Sequence, residues 1–133
     1  MKNIEWEFVI PLKDDMIIDI FEIENAYSLP SDFKEFIKKN NAGMPLVNTF
    51  DTDKTKERNI KCILSFNKED EENIYEFINL FKKNNYLEML PFAIDSFGNF
   101  ICFENEKVVF WNCELETKEY IADSFSKFLD CLY

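Results

Sequence analysis

LPFAIDSFGNFICFENEKVVFW, residues 90–111, decides the fold class. Leu90–Asp95 and Asn99–Phe103 are apolar runs of strand length, and Ser96, Phe97 and Gly98 between them read as a hairpin around a glycine turn. A polar turn at Glu104–Lys107 leads into Val108, Val109, Phe110 and Trp111. Four consecutive apolar residues leave neither face of that strand polar, which predicts a central strand covered on both sides. A short further strand is expected at Tyr120–Ala122.

Helical patterns flank this strand-rich stretch. Downstream, Asp123 or Ser124 can cap a closing helix whose inner face is Phe125, Phe128, Leu129 and Leu132. Upstream, Ile74, Phe77, Ile78 and Phe81 recur at i, i+3, i+4, i+7, with Asn67 as a possible cap. Glu69, Asp70, Glu71 and Glu72 then load the start of that helix and Lys82 and Lys83 its end, so the acid run reads as helix capping rather than as a binding feature. Ile60, Cys62, Leu64 and Phe66 alternate as in a strand. Residues 46–59 are polar and read as a loop, and Asp51–Lys61 is the one locally basic segment, by a single charge. A second helix is expected from a Ser31 cap, with Phe33, Phe36 and Ile37 on one face, Lys38 and Lys39 in its last turns, and Gly43 and Pro45 to stop it. Before Pro30, a first helix over about 14–26 is capped by Asp14 or Asp15 and buries Ile17, Ile20 and Phe21. The order of elements predicts one α+β domain over residues 1–133, with about four helices packed around a twisted, largely antiparallel sheet.

Composition agrees with a self-sufficient core. Of 133 residues 47% are hydrophobic, 15 of them Phe, and only 2 Gly and 4 Pro interrupt them. The net charge of −11 argues against nucleic acid, which needs a basic stripe, and against an anionic membrane. It suits a basic protein partner, through faster encounter. No apolar run is long enough to cross a bilayer. The start MKNIEWEFVI carries acids and no small-residue cleavage site, so no signal peptide is expected and a reducing cytoplasm is.

The absence of histidine removes Ser–His–Asp and Cys–His systems and His-bearing metal sites. Cys62, Cys102, Cys113 and Cys131 form no CxxC pair and read as small core hydrophobes, so neither metal nor cofactor is expected. Phosphate-binding glycine loops and the nucleophile elbow are missing as well. Paired carboxylates are the remaining catalytic equipment. Asp95, beside Ser96 at a strand end, is the most site-like, and its simpler reading is an Asx-type turn.

Acidity lies at the two ends. Residues 1–29 hold 7 acids against 2 bases, residues 30–87 hold 10 of each, and residues 88–133 hold 9 against 3. In the last part Glu104, Glu106, Glu114, Glu116 and Glu119 fall in expected turns, where exposed tips offer a basic partner a negative face.

Three segments resemble the SUKH superfamily, the Smi/Knr-like domains, and its short bacterial members most of all. LPSDFKEFIKKNNAGMP, residues 29–45, is similar to the family's N-terminal pattern, with Leu29 and Pro30 before a capped helix and Gly43 after it. LPFAIDSFGNFICFE, residues 90–104, is similar to its strand–turn–strand signature, where Asp95, Gly98 and Asn99 match the turn. VVFWNCE and YIADSFSKFLDCLY resemble its Trp111-bearing strand and closing helix. Two departures stand out. Ala42 precedes Gly43 where the family commonly has two glycines, and Asn112 and Cys113 follow Trp111 where an acid or histidine is common. The resemblance implies an α+β domain that acts by binding protein, as bacterial immunity proteins neutralise toxins, many of them nucleases. It implies no catalytic residues, and makes the matched positions turn and packing residues. Two further readings stand beside it, a regulatory scaffold for another cellular protein and a small carboxylate-dependent hydrolase.

Overall fold

Phe100 and Phe103 lie an odd number of residues apart on one strand, so they face opposite sides of the sheet. Both are buried. That single strand therefore demands a layer on each face, and the computed structural model, which describes residues 3–133, supplies both. Five antiparallel strands run in the order β5 (Cys62–Ile63), β6 (Leu90–Ile94), β7 (Phe100–Glu104), β8 (Lys107–Asn112), β9 (Thr117–Ala122). Helices α2 (Ser31–Asn40) and α4 (Phe125–Asp130) cover the Phe103 face: the Phe33 ring lies 5.0 Å from Phe103 and 5.0 Å from Phe125, both edge-on. Phe92 stacks on Phe103 at 4.2 Å and closes the group. Helix α3 (Ile74–Lys83) covers the other face, with Phe77 and Phe81 each 5.1 Å from Phe100. Edge-to-face pairs of this kind stabilise by about 0.5–1.5 kcal/mol beyond the area they bury.

The α+β class, the glycine-turn hairpin and the doubly covered strand all stand as expected. β8 has β7 on one side and β9 on the other, with Val108–Trp111 buried throughout. Other expectations need correction. Helix α1 (Ile17–Asn25) buries Ile18 and Phe21, while Ile20 is exposed. Five apolar residues within seven positions give α1 two apolar sides, and the Phe21 ring selects one of them by packing on Phe66 at 5.0 Å and Tyr75 at 5.8 Å. Asp14 assists that helix start, its Oδ1 accepting from the Met16 N–H at 2.8 Å. Ser31 is the first residue of α2 rather than its cap, which is Pro30. Asn67 does not cap α3 either. Asn73 does, accepting from the Glu76 N–H at 3.0 Å.

Residues 46–59 are not simply a loop. β3 (Thr49–Phe50) pairs with β4 (Arg58–Asn59), because Phe50 is driven inward onto Phe128 at 5.6 Å. The alternation at Ile60–Phe66 is also absent, since Ile60 and every residue from Cys62 to Phe66 are buried. A further pair, β1 (Trp6–Glu7) with β2 (Met44–Pro45), carries no strand signal in the sequence.

Each outer strand carries a backbone contact to a neighbouring loop. On β9 the Asp53 N–H donates to Tyr120 O at 2.9 Å, and the Tyr120 N–H donates to Asp53 Oδ1 at 2.9 Å. On β5 the Ile63 N–H donates to Gly43 O at 3.0 Å. Backbone groups engaged in this way are poor templates for strand addition.

Candidate partner-binding surface

The five turn glutamates do not form one face. Glu104 ends β7 and Glu106 lies in the β7–β8 turn, while Glu114 and Glu116 lie in the β8–β9 turn. These turns are at opposite ends of the six-residue β8, roughly 20 Å apart at about 3.3 Å per residue. Glu104 is paired with Lys118, and Glu116 accepts from the Tyr86 hydroxyl at 2.6 Å. Glu106 and Glu114 are open to solvent.

Glu119 is no turn residue. β9 starts at Thr117, so its alternation sends Lys118 and Tyr120 outward and Glu119 inward with Ile121. There it is only 5% exposed. The hydroxyls of Thr52 and Thr55 each donate to its Oε1 at 2.6 Å, and Arg58, 4.4 Å above the Phe110 ring, lies 3.6 Å from its Oε2. Burial alone raises the Glu119 pKa, but the two hydroxyl bonds and the Arg58 charge outweigh it and hold the carboxyl below its ordinary value.

The hairpin residues close a turn. Asp95 Oδ1 accepts from the N–H groups of Phe97 and Asn99, both at 2.8 Å, and its Oδ2 accepts from Asn99 Nδ2 at 3.0 Å. Gly98 sits at φ +86°, where a side chain would be strained. Asn99 Oδ1 accepts from the Cys113 N–H at 3.0 Å and so ties this turn to the next. Trp111 packs against Tyr86 at 4.8 Å. Leu29 and Pro30 are buried at the start of α2, where Pro30 O accepts from the Lys34 N–H at 3.0 Å. A Cβ at Gly43 would be tight, 3.0 Å from Asn40 O and 3.1 Å from Trp6 Cε3, so those neighbours would have to give way by a few tenths of an ångström.

What converges instead is a cleft that the sequence did not announce. Residues 67–72 lie outside α3, as a loop whose ends meet where the Ser65 N–H donates to Glu72 O at 2.9 Å and the Ile74 N–H donates to Ser65 O at 2.8 Å. The loop turns Glu69, Asp70, Glu71 and Glu72 toward an open cleft of about 410 Å³. The buried Cys62 and Ile63 and the half-buried Met44 line it, and the exposed Phe8 and Ile10, with Ala42, give it an apolar lip. Phe8 is 74% exposed. It also holds φ at 56°, an outlier for a bulky side chain that costs on the order of 1–3 kcal/mol. Ala42 beside it holds φ at 64°.

The acidic wall is partly compensated. Lys13 pairs with Glu69, and Lys61 with Glu72 at 2.9 Å. Asp70 accepts from Ser65 Oγ at 2.5 Å and from Asn67 Nδ2 at 3.2 Å. Four carboxylates against two ammonium groups leave the wall negative. Burial, with the Glu72 charge, pushes the Cys62 thiol up to about 12, so it is a protonated donor toward Glu72 and no nucleophile. Among the described residues no group of three or more His, Cys, Asp or Glu side chains is placed to hold a metal ion, and no helix is long and apolar enough to cross a membrane.

The acid run was legible as a wall only if the helix start had been moved. Asn73-Ile74-Tyr75-Glu76 is a cap followed by Glu at the third helical position, directly before the apolar repeat. Placing the cap there leaves residues 69–72 free of the helix.

A family model described as SMI1/KNR4 family (SUKH-1) matches residues 11–131, nearly the whole chain. The comparisons with curated proteins and with solved structures found no match.

Proposed function

The chain belongs to the SMI1/KNR4 family (SUKH-1), and we propose that it is a non-catalytic binding protein, an immunity protein that neutralises a basic toxin domain stoichiometrically in the bacterial cytoplasm. The observation that carries this reading is the cleft lined both by the apolar Phe8 and Ile10 and by the acids Glu69–Glu72. Its lip offers apolar area with a strained, exposed aromatic, the kind of residue that dominates protein interfaces. Its wall offers negative charge, which speeds encounter with a basic surface and disfavours acidic ones. A toxin that handles phosphate is basic where it holds its substrate, so the same charge that attracts this chain blocks that groove.

The buried acids support a binding role. Asp95 and Glu119 spend their oxygens on turn amides, threonine hydroxyls and Arg58.

Co-expression with the toxin domain encoded beside it tests the reading. The chain should restore growth and co-elute with the toxin, and Phe8→Ala with Glu71→Lys should weaken both while leaving the circular dichroism spectrum unchanged. Growth arrest despite abundant folded chain, with no complex on gel filtration, would sink it.

A further inference from the structure

The lip of the cleft, on residues 8–13, and its acidic wall, on residues 67–72, are joined by buried polar side chains. Asn41 and Ser65 are each 1% exposed and Asn67 is 0% exposed. Asn41, at the end of α2, grips Ile10 by both main-chain groups: its Nδ2 donates to Ile10 O at 2.9 Å, and its carbonyl accepts from the Ile10 N–H at 2.9 Å. The same Nδ2 donates to Ser65 Oγ at 3.0 Å, and Ser65 Oγ in turn donates to Asp70 Oδ2 at 2.5 Å. Asn67 bridges the gap in one step. Its Oδ1 accepts from the Lys13 N–H at 3.0 Å, while its Nδ2 donates to Pro11 O at 3.0 Å and to Asp70 Oδ2 at 3.2 Å.

Buried amides are costly unless their donors and acceptors are used, and among the described residues no buried side-chain nitrogen or oxygen lacks a partner. Such a network yields as a unit. Removing one member leaves its partners buried and unpaired, and they recover their bonds only by opening to water. Neither Asn41 nor Asn67 lines the cleft, so neither is placed to touch what binds there. We propose that Asn41 and Asn67 are positioning residues that make the lip and the wall one cooperative unit, opening and closing together. The functional consequence rests on the cleft as the binding surface: Phe8, Ile10 and Glu69–Glu72 are presented in a fixed arrangement, which a partner need not order for itself.

The chain carries its own reporters. Cys62 is buried and lines the cleft, whereas Cys102 is buried on β7, between β6 and β8. Opening of the cleft exposes the first thiol, and only unfolding of the sheet exposes the second. The test follows native-state alkylation of both thiols and hydrogen exchange of single amides in the full chain. Asp70→Ala alters the wall alone, yet should speed exchange at the Ile10 and Lys13 amides and alkylation of Cys62 by at least about tenfold, with Cys102 unchanged. Asn41→Asp keeps an acceptor for the Phe66 N–H but loses the donor to Ile10 and Ser65, and should speed exchange at the Asp70 amide, which donates to Asn67 O at 3.3 Å. Asp70→Asn, which retains an acceptor oxygen, should stay near wild type. So should Glu69→Gln, which cuts only the exposed pair with Lys13. Faster exchange confined to residues 67–72 in Asp70→Ala would mean two independent segments and overturn the proposal. Alkylation of Cys102 rising in step with Cys62 would do the same, since the network would then support the whole fold. A Glu69→Gln variant that loosens the lip as much as Asp70→Ala would also overturn it. No toxin enters these measurements, so growth rescue and the coupling fail separately.

Discussion

The Thr52 hydroxyl donates to the Glu119 carboxylate at 2.6 Å, across 67 positions of sequence. With Thr55 and Arg58 it turns an inward-facing acid on β9 into the clasp that holds residues 52–58 on the sheet. Glu119→Ala leaves Arg58 beside Phe110 without its counter-charge and takes the carboxylate acceptor from the Thr52 and Thr55 hydroxyls. The expected loss is about 3 kcal/mol, the usual range for breaking one half of a buried pair. Urea denaturation of the variant against wild type measures it.

That clasp is sensitive to acid, with a definite sign. The folded-state pKa of Glu119 lies below its ordinary value of 4.5. Its contribution is therefore complete above the unfolded-state pKa and is lost as pH falls through the lower, folded-state value. The stability gap between wild type and Glu119→Gln should be constant from neutral pH to about 5 and shrink below about 4. A gap that stays flat into strong acid contradicts the assignment.

At high pH the direction reverses. Burial, with a smaller effect from Cys102, pushes the Tyr27 phenol up to about 12, and Cys62 is likewise held near 12. Both groups favour the fold while protonated. Their contribution is complete below the unfolded-state values of 10.0 and 9.0 and is lost as pH rises through the folded ones. Melting temperatures should fall from about pH 9 upward, and Tyr27→Phe with Cys62→Ala should flatten that limb.

Ala42 and Gly43 respond oppositely to a methyl group. Gly43→Ala forces a Cβ against Asn40 O and the Trp6 ring, and should cost about 1–3 kcal/mol. Ala42→Gly relieves a left-handed φ of 64° and should stabilise by up to about 1 kcal/mol. Thermal melts of the two single variants check both signs.

Alkylation will sort the four thiols. Cys113 and Cys131 are exposed, while Cys62 and Cys102 are buried with thiols pushed up by burial. At neutral pH iodoacetamide should label the first pair in the native protein and the second only after denaturant is added, as mass spectrometry of the fragments would reveal.

Much of this architecture was legible locally. The hairpin at 90–104 and the Val108–Trp111 strand follow from apolar runs and one glycine turn, and the aromatic repeat of α3 follows from its spacing. These signals lie within a few residues of what they specify. Where local patterns were ambiguous they misled. α1 has two apolar sides, and only the docking of Phe21 on Phe66 and Tyr75 chooses between them. Asn67 is a plausible cap by type, yet it is fully buried, its Nδ2 donating to Pro11 O at 3.0 Å and its Oδ1 accepting from the Lys13 N–H at 3.0 Å.

The order of residues alone therefore determined the α+β class, the number of helices, the acidic balance and the family pattern, because periodicity and composition act at short range. Tertiary structure alone decided which acids meet. It buried Glu119, set Glu104 and Glu114 at opposite ends of one strand, and brought Phe8 and Ile10 into one cleft with Glu69–Glu72, some sixty positions away. Side chains converge through strand register and loop closure between distant segments, and no local spacing encodes those distances.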